Sequence, residues 1–313
     1  MKTGIFFHES FLSHDTGDSH PENFNRLNAI MDKINLFDNK KINIFECPYV
    51  NFEQLNRVHS RSYIQKIINY FPLKKNINLD NDTIISAGSV EAILRAPGSV
   101  IAAIRKVATN QLENAFCIVR PPGHHAQISS SMGFCIFNNI AIGAAYAREE
   151  LLIKNIAIVD IDVHHGNGTE DWVRDNQGYL FFSIHQSPLF PGTDHSSKEE
   201  NSHIINCTLS PGSSSNEFKE KLEKNLFPSI YQFQPDLILL SIGFDAHELD
   251  TISEVNLSSM DYYWITKKLC EIANDCCGGK LVSVLEGGYN LNGLADSAFN
   301  HVAALVKHDI IAG

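Results

Sequence analysis

The sequence predicts an α/β fold in which a mainly parallel β-sheet carries helices on both faces. Three observations lead there. Short apolar runs alternate along the chain with longer segments of helical periodicity. Those runs are rich in Ile, Val, Leu and Phe and do not alternate with polar residues, the pattern of strands buried on both faces. Five of them lead into stretches dense in Gly, His, Asp and Pro, as happens where ligands bind beyond the carboxyl ends of parallel strands.

The elements follow in order. "GIFFH" (4–8) and "NIFEC" (43–47) read as strands. "AGSVEAILRAPGSVIAAIRKVAT" (87–109) has helical spacing, with a break or kink expected at Pro97-Gly98. Strand "AFCIV" (115–119) leads to "RPPGHHA", and a helix is expected over 138–152. Strand "IAIVD" (156–160) leads to "DVHHGNGT", and strand "LFFSI" (180–184) to "HQSPLFPGT". The polar stretch 191–203 reads as a surface loop. Helices over 214–233 and 258–276 each begin with Ser, an N-cap residue. Strand "LILLSI" (237–242) precedes "GFDAH", and strand "LVSVLE" (281–286) precedes "GGYN". There is no repeat, low-complexity segment or long linker, so residues 1–313 read as one domain.

With 313 residues, 43% of them hydrophobic, the chain can bury a large core. A net charge of −11 argues against direct binding of nucleic-acid phosphates. It favours a cationic partner such as a polyamine or basic peptide, although acidity also serves solubility. The seven cysteines are odd in number and form no Cys-x-x-Cys pair, which points to a reducing compartment without a disulfide framework or thiolate zinc site. The first residues turn polar too early for a signal peptide, and no apolar run approaches the ~20 residues of a membrane span. The expectation is a cytoplasmic protein with no membrane association; an effector secreted without such a signal would read the same.

In "DIDVHHG", Asp160, Asp162 and His164 stand at i, i+2 and i+4, on one face if the chain stays extended. The stretch alone is compatible with a metal site or with a hydrogen-bonded polar turn. "GFDAH" and "RPPGHHA" at other strand ends favour the metal. Three protein ligands of Asp and His type with one open position make a catalytic zinc site, and Asp245 is a candidate third ligand. His124 and His125 follow the turn signal Pro121-Pro122-Gly123. Adjacent histidines suit one inward and one supporting role, or a tight turn presenting both. Histidine is the usual side chain for moving protons near neutral pH.

Taken together, "RPPGHHA", "MGFCIFNN", "DIDVHHGNGT", "FPGT", "GFDAH" and "EGGYN" resemble, in order and spacing, the zinc-dependent histone deacetylase and acetylpolyamine amidohydrolase superfamily. The wording is most similar to class II enzymes and their bacterial relatives, over essentially the whole chain. The resemblance implies an arginase/deacetylase-like fold and hydrolysis of N-acetylated amines, most of all acetyl-lysine of proteins, with acetylpolyamines as the alternative. It implies zinc on Asp162, His164 and Asp245. His125 would be the general base, His124 paired with Asp160 its electrostatic helper, and Tyr289 the donor to the substrate carbonyl. Gly133, Phe134 and Phe190 would line the acyl-chain channel. A structural potassium ion would sit against Asp160, Asp162, His164, Ser183 and Ile184. Zinc suits this chemistry because it polarises a carbonyl and can lower the pKa of water from ~16 to about 7.

Asn167 stands where some class I relatives carry an acidic partner for the second histidine, so His125 is expected to have a lower pKa than it would beside a carboxylate. Asn23, Phe24 and Asn25 depart from the family's "HPERPxRL". Asp82 and Thr83 lie where relatives position the substrate backbone. Ile252 occupies the channel position at which polyamine-selective relatives carry Glu, which favours acyl-lysine. His165 and His185 read as structural, His247 as facing solvent or the sheet edge, Trp172 and Trp264 as packing residues, and Glu286 as an anchor for the glycine loop. Two rivals are a two-manganese ureohydrolase, disfavoured by Gly166, and a non-catalytic binder of acylated or cationic partners, disfavoured by Tyr289. Oligomeric state is not readable.

Overall fold

The structure is a computed structural model that describes residues 2–38, 40–193 and 203–307. The predicted surface loop 191–203 lies largely outside them. In chain order the strands are β1 (Thr3–Phe6), β2 (Ile42–Phe45), β3 (Ile77–Asn78), β4 (Ile84–Ile85), β5 (Asn114–Cys117), β6 (Ile156–Asp160), β7 (Tyr179–Gln186), β8 (Ile204–Leu209), β9 (Leu237–Ile242) and β10 (Leu281–Leu285). The α-helices are α1 (Asn25–Ile34), α2 (Phe52–Asn56), α3 (Arg61–Asn69), α4 (Ser89–Ala108), α5 (Asn139–Glu149), α6 (Asn167–Arg174), α7 (Ser215–Lys221), α8 (Phe227–Phe233), α9 (Ser259–Cys277) and α10 (Leu291–Leu305).

Eight strands form one parallel sheet in the order β2-β1-β5-β10-β9-β6-β7-β8, while β3 and β4 pair as a small antiparallel ribbon. Every residue of β5, β6, β7, β9 and β10 is buried, which requires cover on both faces. Helices α1, α9 and α10 pack together, as do α4 and α5, and both groups contact strands. The five strands whose ends carry the polar motifs are contiguous as β5-β10-β9-β6-β7. Motifs separated by up to 170 residues of chain therefore meet at one sheet edge.

Of the break or kink expected at Pro97-Gly98, the break is absent: α4 runs unbroken through Pro97. Pro97 removes one helical hydrogen bond, but nearly every residue from Ala96 to Ile104 is buried, and this packing holds the helix together. Gly98 is needed because a Cβ there would lie 2.0 Å from the Pro48 carbonyl oxygen. The single helix expected over 214–233 is α7 and α8 joined by a π-helical turn at Leu222–Leu226. Pro228, which lacks an N–H, stands in the first turn of α8. Ser214 and Ser258 cap their helices as expected; the Ser258 N–H donates to Asp261 at 2.8 Å.

β8, the β3–β4 ribbon, and α1, α2, α3 and α6 were not expected. β8 carries polar Asn206 and Thr208 among its apolar residues, and α6 starts inside the Gly-rich "HGNGT". All seven cysteines are unbridged, as expected.

Candidate active site

β6 ends at Asp160 and the chain then bends through Asp162–His164, so the three side chains do not share one extended face. The bend is fixed by Asp162 N–H donating to Asp160 Oδ1 (3.1 Å) and His164 N–H donating to Asp162 Oδ1 (2.9 Å). It separates the roles of the residues. Asp160 Oδ2 meets His124 Nδ1 at 2.9 Å, whereas Asp162 and His164 turn towards Asp245.

His164 Nδ1 lies 3.0 Å from Asp162 Oδ1 and 3.2 Å from Asp245 Oδ2. Among the described residues, these three form the one cluster of His, Cys, Asp or Glu able to hold a metal ion, with one ligand atom from each within 4.8 Å of the others. For metal–ligand bonds of ~2.0 Å a tetrahedral edge is about 3.3 Å, close to the two shorter separations. Asp245 Oδ2 is buried and receives no well-aligned hydrogen bond. Two glycines leave the space open. A Cβ on Gly243 would lie 2.0 Å from Asp162 Oδ2, and one on Gly287 would lie 2.0 Å from Asp245 Oδ2.

The electrostatics also call for a cation. Burial, then the Asp162 charge, push Asp245 up to about 6. Against the effect of burial, the two carboxylates raise His164 to about 10, so this point of the structure favours positive charge. Asp162 is held well below the carboxylate range, against burial, by His124 and His164. A divalent ion would supply that charge and satisfy all three ligand atoms. The residues present therefore fit such an ion.

His124 and His125 lie with ring centroids 4.0 Å apart and planes tilted by 42°, and have opposite electrostatics. Burial opposes charge on His124, but Asp160 and Asp162 raise its pKa well above 6.5. Burial, then the positive His124 and His164, lower His125 well below 6.5, while the bond to Asn167 acts in the opposite direction. The His125 partner is Asn167 Oδ1, at 2.8 Å, while Asn167 Nδ2 donates to Met132 Sδ at 3.4 Å. With that amide orientation, His125 Nδ1 carries the proton and Nε2 keeps a free lone pair.

Glu286 braces the histidine turn. Its Oε2 accepts from the Gly123 N–H (2.7 Å) and the His124 N–H (3.2 Å), and its Oε1 from Ser241 Oγ (2.9 Å). The expected anchor of the glycine loop therefore serves the neighbouring loop instead. The glycine loop is held by Arg26, whose guanidinium donates to Gly288 O and Glu286 O, both at 2.6 Å, and lies 5.0 Å from the Tyr289 ring centroid. Glu22 bridges Arg26 and Arg120, and all three are fully buried. Desolvation pushes the Tyr289 phenol well above its ordinary value, which keeps it a neutral donor.

The site opens into a cavity of about 260 Å³ lined by His125, His164, Gly133, Phe134, Phe190, Ile252 and Tyr289, with Asp82 also in its wall. The four expected channel residues thus come together. Gly133 has φ +54°, and a Cβ there would lie 2.6 Å from the His125 ring and 2.9 Å from Phe190. Phe134, at φ +68°, donates its N–H to Thr83 Oγ1 (3.1 Å) and packs edge-on against Tyr289 and His20.

Ser183 pairs with Asp160 in the β6–β7 ladder, and Ile184 follows it. His165 bonds Glu170 and Thr193, and His185 bonds Ser183, all at 2.8 Å, which gives both histidines structural contacts. His247 does not face solvent: it is buried, and its Nε2 lies 3.0 Å from Ser259 Oγ. Trp172 is buried against Tyr179, and Trp264 packs on Phe227. Arg26 and Arg120 are not legible in the sequence, because the carbonyls they bind lie far away along the chain.

Comparison with known proteins agrees with this geometry. Residues 20–305 match the model of the histone deacetylase domain. A probable deacetylase of Archaeoglobus fulgidus is 33% identical over 320 residues, covering 100% of this chain and 88% of that protein. Type-2 histone deacetylase 2 of Dictyostelium discoideum is 33% identical over 98% of this chain, which spans 21% of that longer protein. A crystal structure described as the HDA15 HD domain superposes with a TM-score of 0.91 at 29% identity, covering 100% of this chain and 91% of that one.

Proposed function

This chain belongs to the histone deacetylase family, and on that footing we propose that it is a zinc-dependent amidohydrolase whose main substrate is the acetylated lysine side chain of proteins. The observation that carries the reading is the buried Asp162–His164–Asp245 cluster, which reaches through His164 the wall of a cavity that His125 and Tyr289 also line. The aromatic pair Phe134 and Phe190 and the apolar Ile252 suit an extended aliphatic chain.

Zinc on Asp162, His164 and Asp245 would polarise the acyl carbonyl and acidify water beside it. His125, with Nδ1–H held by Asn167, accepts the water proton at Nε2. The Tyr289 hydroxyl donates to the carbonyl oxygen as negative charge develops there. His124, kept positive by Asp160, adds a fixed charge next to His125. The departing amine takes its proton from the histidine pair. By the family resemblance alone, the proposal includes a structural potassium ion at Asp160, Asp162, His164, Ser183 and Ile184. It also includes a cytoplasmic setting, supported by seven unbridged thiols. Among the described residues no helix is long and apolar enough to cross a membrane.

One observation favours acetylpolyamines as the alternative substrate: the Asp82 carboxylate in the cavity wall could receive a second cation. Metal analysis of the purified protein, followed by parallel assays on acetylated peptides and acetylated polyamines, tests both. The expected result is one zinc per chain and a higher kcat/KM for the peptides. Turnover of polyamines alone would remove the lysine reading. Two manganese ions per chain would indicate the ureohydrolase rival, and zinc without turnover of either substrate would indicate a binding protein.

A further inference from the structure

The loop between β9 and α9 carries Asp245 near its start and Ile252 seven residues later. Between them lies Asp250, a buried carboxylate, 7% exposed, with no part in the metal cluster or the cavity wall. Its Oδ2 accepts the Tyr289 N–H at 2.6 Å and the Asn290 N–H at 3.0 Å, while its Oδ1 accepts the Ile252 N–H at 3.2 Å. Its own N–H donates to the His247 carbonyl at 2.8 Å, which fixes the side chain's base. Hydrogen bonds to an ionised acceptor are among the stronger ones.

Tyr289 needs such anchoring. It follows Gly287 and Gly288, the latter at φ +115°, so the backbone before it is intrinsically free. Arg26 grips this loop by the carbonyls of Glu286 and Gly288. Asp250 grips the next two residues by their amides. The two charged side chains hold consecutive stretches of the loop through opposite kinds of backbone group. We propose that Asp250 is a positioning residue: one carboxylate sets the Tyr289 phenol relative to the channel wall at Ile252. The proposal rests on the deacetylase reading, in which Tyr289 donates to the substrate carbonyl. Misplacing such a donor by ~1 Å can cost on the order of 10²-fold in rate.

The test is a double-mutant cycle on the zinc-loaded protein, with Asp250→Asn and Asp250→Ala each made alone and in a Tyr289→Phe background. Backbone amide exchange at Tyr289 and Asn290 is followed in parallel. Alone, each Asp250 variant should lower kcat on the order of 10-fold or more, with KM and zinc content nearly unchanged and the two amides exchanging faster. With Tyr289→Phe already present, the further loss should shrink to below about twofold, because the group being positioned is gone. Equal fold losses in both backgrounds, or an unchanged kcat, would overturn the proposal. Asp250→Asn keeps the side-chain volume should Asp250→Ala not fold; failure of both to fold would assign Asp250 a purely structural role and end it. If the wild-type protein turns over no acylated amine, the deacetylase reading fails on its own, and unchanged amide exchange would still separately refute the anchoring.

Discussion

Tyr289 offers the sharpest single-residue test of the mechanism, because its hydroxyl can be removed without removing its ring. The ring packs on Phe134 and under Arg26, contacts that phenylalanine keeps. Tyr289→Phe should therefore retain the fold and the zinc while turnover falls by about 10²–10³, as for one lost oxyanion donor; steady-state kinetics with metal analysis check this. Gly287 offers the complementary test. A Cβ there would lie 2.0 Å from Asp245 Oδ2 and 2.7 Å from Asp162 Oδ2, inside the space a cation needs. Gly287→Ala should leave a circular dichroism spectrum like that of the parent but bind well under one zinc per chain. Residues such as His125, Asp162 and Tyr289 were legible in the sequence because each sits in a short motif directly after an apolar run. Arg26 and Asp250 were not legible. Arg26 binds carbonyls about 260 residues away and Asp250 binds amides about 40 residues away, and backbone partners leave no side-chain pattern to read.

Among the elements, the strands were easiest to read, since a strand buried on both faces is an uninterrupted apolar run; β6 and β9 match their expected limits. β8 was hidden by its polar residues, and α6 by the glycines at its start. Gly168 in α6 is there for contact rather than for a turn, because a Cβ would lie 2.3 Å from the Ala126 carbonyl oxygen. α4 shows the same rule at larger scale. Proline and glycine together suggested an interruption, but tertiary packing overrode the local signal. The glycine lets the chain at Pro48 approach the helix, and a Cβ there would meet backbone rather than a yielding side chain. Gly98→Ala would ordinarily favour a helix; here it should destabilise the protein by ~1–3 kcal/mol through overpacking, seen as a lower urea midpoint.

At the scale of the whole molecule, parallel order brings the five motif-bearing strand ends together, so buried polar groups are concentrated at one edge and acid stability becomes a property of the entire fold. The contributions oppose one another. Glu286 at about 7 binds a proton more readily folded than unfolded, so it favours the folded state as pH falls. His14 at about 3, His59 at about 4 and His301 at about 3 act the other way. His301 is the cleanest of them. Its only cause of shift is burial, and its two ring nitrogens meet Thr266 Oγ1 and Ser283 Oγ, each at 2.7 Å. Its folded pKa lies below the unfolded value of about 6.5, so between those limits the unfolded chain binds the extra proton. The stability from a neutral His301 is fully present above about pH 6.5 and is lost as pH falls towards 3. His301→Gln cannot titrate but can still hydrogen-bond both hydroxyls. Urea denaturation of both proteins between pH 4 and 6 should give a wild-type slope of stability against pH steeper by up to about 1.4 kcal/mol per pH unit. Groups common to both proteins cancel in that comparison, so equal slopes would mean that His301 is already charged inside the fold.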